Sequence, residues 1–138
     1  MTAEPQFLGE VVVPGAPSGL ARPRLGGSHF YSPDVGGFKA RVADYAHTAG
    51  LREVDSPIKL QVTILRRIPA SWSKKKANAM WGKPVTTIPD LNNIVSGICD
   101  GLQGIAFHND KQVAVIEASR TWGATDGTII KLWGLNAT

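Results

Sequence analysis

A chain of 138 residues, 43% of them hydrophobic, is long enough to bury roughly two-thirds of its unfolded surface, so one domain over residues 1–138 is expected. Fifteen Lys and Arg against eleven Asp and Glu leave a net charge of +4, which favours a polyanionic partner through counterion release. The one cysteine, Cys99, excludes an internal disulfide, and the lack of a signal-like start or of an apolar run of about eighteen residues points to a cytoplasmic protein that spans no membrane.

Phe7 to Val13 is apolar and β-branched towards its end, and Pro14-Gly15 stops it, which predicts a first strand. Residues 14–29 are rich in proline and glycine and carry Arg22 and Arg24, the composition of a loop. Ser32-Pro33-Asp34 is a helix start, and Val35, Phe38, Val42, Tyr45 and Ala49 follow at helical spacing up to Gly50. Ile58, Leu60, Val62 and Ile64 alternate with Lys59, Gln61 and Thr63, which predicts a half-exposed strand over 58–66. A short basic helix is expected from Ser71 to Trp81, carrying Lys74, Lys75 and Lys76 and closed by Gly82. A linker over 83–89 leads into a central helix from Asp90 to Gln103, with Gly104 as its stop. Residues 111–120 and 128–133 read as the last two strands, joined by a turn around Ala124-Thr125-Asp126-Gly127.

The chemistry gathers on the central helix. At about 100° per residue, Leu91, Ile94, Val95, Ile98 and Leu102 share one arc, and Asn92, Asn93, Ser96 and Asp100 share the opposite one. Asp90 opens the helix, where it is able to cap it. Asp110 follows it in a polar His108-Asn109-Asp110 loop. Carboxylate and amide oxygens at both ends of one helix are the ligands of a hard cation such as Mg²⁺, or Mn²⁺ in its place. His29, His47 and Cys99 have no zinc-ligand spacing, and the glycines near Gly15, Gly19, Gly26 and Gly27 form no nucleotide-binding loop, so no nucleotide cofactor is expected.

Pro89-Asp90-Leu91-Asn92-Asn93-Ile94, then Asp100-Gly101-Leu102, then Gly104-Ile105-Ala106-Phe107-His108-Asn109-Asp110-Lys111-Gln112-Val113 resemble the motifs of the RusA-like Holliday junction resolvases, homodimeric Mg²⁺-dependent endonucleases of bacteria and their phages. The likeness extends to Val13-Pro14-Gly15, Ala21-Arg22-Pro23-Arg24, Tyr31-Ser32-Pro33 and Ile68-Pro69-Ala70-Ser71-Trp72-Ser73-Lys74-Lys75-Lys76, in the family's order. The resemblance implies an α+β domain, a small mixed sheet with helices packed on it, assembled as a homodimer on branched DNA. It further implies catalytic and metal-ligating roles for Asp90, Asp110 and the residue at 92. Asp100 and Asn109 would stand behind them.

Three positions depart from the family pattern. Asn92 stands for its second aspartate, Ser96 for the basic residue that often follows, and Asn109 for the first aspartate of a pair. An amide oxygen coordinates without charge, and one unit-charge contact at ~4 Å and an effective dielectric of ~20 is worth on the order of 4 kcal/mol. Asn92 is read either as an Asp→Asn change that inactivates a nuclease or as a natural feature of a protein that only binds branched DNA. The first is preferred, because Asp90, Asp100 and Asp110 survive. Arg22, Arg24, Lys74, Lys75, Lys76 and Lys111 are the expected DNA contacts, with Lys111 or Lys74–Lys76 replacing the cation lost at Ser96. Trp72 is the aromatic best placed to stack on a base. A basic scaffold for a protein or RNA partner is a weaker rival.

Overall fold

The computed structural model describes residues 4–17, 33–87 and 89–135. Four strands and three α-helices follow in the order β1 (Gln6–Pro14), α1 (Pro33–Thr48), β2 (Ile58–Arg67), α2 (Lys74–Met80), α3 (Leu91–Leu102), β3 (Val113–Gly123) and β4 (Gly127–Gly134), with a single 3₁₀ turn over Asp110–Gln112 before β3. This is the expected α+β domain with a mixed sheet. No helix among the described residues is long and apolar enough to cross a membrane.

The strands stand in the order β1-β4-β2-β3. β4 runs antiparallel to both β1 and β2, while β3 lies parallel to β2. A parallel pair needs a long crossover, and α2 and α3 occupy it. Although only residues 124–126 separate β3 from β4, the two strands flank β2 instead of pairing with each other. The turn passes over the end of β2, where the Asp126 carboxylate accepts the Arg67 N–H at 2.8 Å.

One face of the sheet is dry. Leu60, Val62 and Ile64 of β2, Ile130 and Leu132 of β4, and Val11 and Val13 of β1 are buried under Phe38, Val42 and Ala46 of α1 and Ile94, Ile98 and Leu102 of α3. The i, i+4, i+8 spacing on both helices puts each trio on one stripe. Their crossing is close because Gly101 has no side chain: a Cβ there would lie 2.8 Å from the Lys39 carbonyl oxygen. Gly82 and Gly104, with φ of 75° and 86°, follow α2 and α3 in the left-handed region that ends a helix.

The segment predicted as a linker is partly a strand extension. Gly82 N–H donates to the Trp122 carbonyl, Trp122 N–H to Lys83 and Val85 N–H to Arg120, at 2.9, 3.0 and 3.0 Å. These bonds cover the outer edge of β3 near its end. Val115 and Ile116, towards its start, are 40% and 48% exposed.

Candidate active site

Asp90 occupies the N-cap position of α3, with extended backbone angles (φ −65°, ψ 143°), and its carbonyl accepts from Asn93 and Ile94 at 3.1 and 3.2 Å. Its side chain makes no capping bond, so the carboxylate is exposed and not spent on the helix. Asn92 is exposed in the first turn beside it.

An arginine underlies this end of α3. Arg120 of β3 lies beneath the 85–90 segment, with Nη1 donating to the Pro89 carbonyl at 2.5 Å and Nη2 to the Val85 carbonyl at 3.3 Å. Burial, then the repulsion of Arg66, push the Arg120 guanidinium down from its usual range, while Asp90 pushes it up. Arg66 and Asp90 are thus each within electrostatic reach of Arg120. Arg66 is opposite Trp122 in the β2–β3 register. Trp122 packs on Trp72 with ring centroids 4.9 Å apart, and Lys76 Nζ lies 4.3 Å from the Trp72 centroid.

That stack explains the local sequence. The Ser73 side chain accepts from Lys76 N at 3.1 Å and starts α2, so Lys74, Lys75 and Lys76 form its exposed first turn. Three positive charges there oppose the helix dipole, a cost that an anion bound at this face would offset. Arg66 and Arg67 also line an open depression of about 410 Å³ with Ala16, Ile68, Pro69, Ala70 and Asp126.

Asp110 is elsewhere. Its amide donates to Gln103 Oε1 at 3.2 Å, one residue beyond the last turn of α3, and the Cys99 thiol is pushed up to about 11 by burial, then by Asp110 and Asp100. The loop around Asp110 is cross-linked by Gln112, whose Oε1 accepts from His108 and Asn109 at 2.8 and 3.0 Å and whose Nε2 donates to the Val54 and Ser56 carbonyls at 2.8 and 3.0 Å. His108 is paired on both ring nitrogens, Nδ1 with Glu53 and Nε2 with Asp55 at 2.8 Å. Asn109 caps the 3₁₀ turn by accepting from Lys111 N at 2.9 Å. Asp100 is held by Lys39 of α1 at 3.1 Å, a tie between the two helices. Lys111 is exposed beside Asp110.

Asp90 and Asp110 stand at opposite ends of α3, Asp90 before its first turn and Asp110 tied to Gln103 after its last. α3 has 12 residues between the two sites, a rod of about 18 Å at about 1.5 Å per residue. Among the described residues no group of three or more His, Cys, Asp or Glu is placed to hold a metal ion. Among these residues, Asp90 and Asn92 offer one carboxylate and one amide at the first end of α3, and Asp110 offers one carboxylate beyond the other. Arg22 and Arg24 lie outside the described residues. Arg120, Glu53 and Asp55 are the site neighbours that sequence reasoning missed; a strand-end arginine and two acids in a loop have no spacing signal.

The chain matches the family model described as endodeoxyribonuclease RusA over residues 14–133. It is also 34% identical over 119 residues to the uncharacterized protein YqaN of Bacillus subtilis (strain 168), an alignment that covers 81% of this chain and 82% of that protein.

Proposed function

The chain belongs to the RusA endodeoxyribonuclease family, and from that membership we propose that it is a structure-selective, Mg²⁺-dependent endonuclease that resolves four-way DNA junctions as a homodimer. The observation that carries this reading is the Asp90 carboxylate, which is exposed, makes no bond to its own helix and follows directly on Pro89, whose carbonyl Arg120 grips. A carboxylate not spent on its own helix is available to a divalent ion that approaches a phosphodiester. Mn²⁺ would serve in place of Mg²⁺.

Since α3 holds Asp90 and Asp110 apart, the reading requires two chains. In a twofold dimer with the α3 helices antiparallel, Asp110 of the partner subunit would face Asp90 and Asn92, and the same contact would recur at the other end. Charge fits this pairing: Asp110 is exposed beyond the end of α3, and Arg120 lies at its start. Mg²⁺ held between them would polarise the scissile phosphate and lower the pKa of the attacking water. The chain's own residues do the rest. Asp90 and Asn92 offer oxygens, Lys76, Lys111, Arg22 and Arg24 bind the backbone phosphates, and two opposed sites match the two strands to be cut.

A second reading, a non-catalytic junction-binding protein, is favoured by Asn92, whose amide removes a negative charge from the ligand set.

Subunit mixing tests both. Asp90→Asn and Asp110→Asn should each fail to nick a mobile four-way junction in Mg²⁺. Exchanged together they should regain roughly a quarter of the wild-type sites, because half the dimers are mixed and each mixed dimer keeps one intact pair. Active wild type with a silent mixture rules out the two-chain site. Silent wild type with nanomolar junction binding selects the binder.

A further inference from the structure

Arg120 is a charged side chain in a costly place. It is only 9% exposed, its guanidinium is bonded to carbonyl oxygens rather than to a carboxylate, and its Nε is buried without a hydrogen-bond partner among the described residues. A guanidinium buried on carbonyls alone is weak support for stability, and an apolar side chain would fill such a place with less desolvation. Its retention needs another reason, and its bonds supply one. The two carbonyls it grips, of Val85 and Pro89, bracket the strap 85–89 that delivers Asp90. Val85 is held twice, since its N–H also donates to the Arg120 carbonyl at 3.0 Å.

Asp90 has no side-chain bond to α3, so what places it is its backbone, held on one side by the amides of Asn93 and Ile94 and on the other by the segment that Arg120 grips. The rigid fork of an arginine reaches two acceptors at once, which an ammonium group on a flexible stem does not do in one geometry. We propose that Arg120 is the positioning residue for Asp90: by clamping the Val85 and Pro89 carbonyls it fixes the backbone entering α3, so that the Cα–Cβ bond of Asp90 keeps one direction and its carboxylate stays within reach of a divalent cation. This rests on the reading of Asp90 as a metal ligand. Arg120 touches neither metal nor phosphate and acts through the backbone alone.

The test uses the full chain with Arg120→Met and Arg120→Lys, reading Mn²⁺ binding by the paramagnetic signal of the free ion and backbone exchange by mass spectrometry. Groups that orient a metal ligand typically change affinity by about 10- to 100-fold when lost. Arg120→Met should therefore weaken Mn²⁺ binding at least about tenfold and speed amide exchange in residues 86–93, with Ile98–Leu102 unchanged. Arg120→Lys should fall between it and wild type. A folded Met variant with wild-type Mn²⁺ affinity overturns the proposal, whether or not its strap loosens, because the role would then be structural only. Should the Met variant fail to fold, the Lys variant decides: a slacker strap with weaker Mn²⁺ binding supports the assignment, and wild-type behaviour in either overturns it. If the unaltered chain takes up no Mn²⁺, the metal reading of Asp90 falls, and exchange over 86–93 alone decides whether Arg120 fixes that turn.

Discussion

Asp90 precedes the first turn of α3 and Asp110 follows its last, tied to Gln103 by its own amide, so the helix between them acts as a spacer. Whatever ion Asp90 binds must find its second charge at residue 92 or on another chain. Asn92→Asp adds a carboxylate two residues from Asp90 at little steric cost. Even at half the ~4 kcal/mol of one close unit-charge contact, the gain corresponds to about a 30-fold rise in metal affinity. Mn²⁺ titration and junction nicking should both rise. Unchanged metal binding in Asn92→Asp would remove residue 92 from the ligand set.

Lys76 sits over Trp72, which in turn leans on Trp122, opposite Arg66 in the β2–β3 register, so its charge is held against the ring instead of sweeping through solvent. A lysine that neutralises one phosphate contributes about one unit to the slope of log affinity against log salt. Lys76→Gln should weaken junction binding at low salt and lower that slope by about one, measured by fluorescence anisotropy at four or more salt concentrations. An unaltered slope would confine Lys76 to its intramolecular contact with the ring.

The features legible in the sequence are those with a local cause. The alternation of Ile58, Leu60, Val62 and Ile64 recurs as the buried face of β2, and the apolar arc of the central helix recurs as Ile94, Ile98 and Leu102. Gly82 and Gly104 end their helices as read, because a left-handed turn is a property of the residue itself. Long-range choices had no such signal. The short turn before Gly127 resembles a hairpin, but β2 enters between β3 and β4. A linear motif with Asp90 at its start and Asp110 at its end resembles one site, until the helix between them gives it a length. His108 reads as an unremarkable loop residue because its partners, Glu53 and Asp55, are far away in the chain.

Cys99 carries a pH dependence whose sign is fixed. Burial, then Asp110 and Asp100, push its thiol from 9.0 to about 11 in the folded chain. Below 9 the thiol is protonated in both states and its contribution to stability is intact. Between 9 and about 11 the unfolded chain releases a proton that the folded chain retains, so stability falls as pH rises. Urea unfolding of wild type and Cys99→Ala from pH 8 upward should therefore show the wild type losing more stability across this window. Parallel curves would mean that the thiol is not shielded. The same shielding predicts slow alkylation of Cys99 by iodoacetamide at pH 8 and fast reaction in urea.

Gln112 holds the Asp110 loop by four bonds from one side chain: the carbonyl oxygen takes the His108 and Asn109 amides, and the amide nitrogen reaches the Val54 and Ser56 carbonyls. Each net bond is worth about 1 kcal/mol and lost partners cost more when buried, so Gln112→Ala should destabilise the chain by about 2–4 kcal/mol, read from the urea midpoint. Gln112→Glu separates the two halves of the clamp. It keeps the acceptor for the loop amides but points a carboxylate oxygen at two carbonyls, so at neutral pH it should cost at least as much as alanine. Acidification protonates that oxygen and restores a donor, and the Glu variant should then recover stability relative to Ala. Since the clamp acts on the loop that presents Asp110 and not on the basic face, either change should lower junction nicking more than junction binding. A parallel loss of both would place Gln112 in the stability of the fold alone.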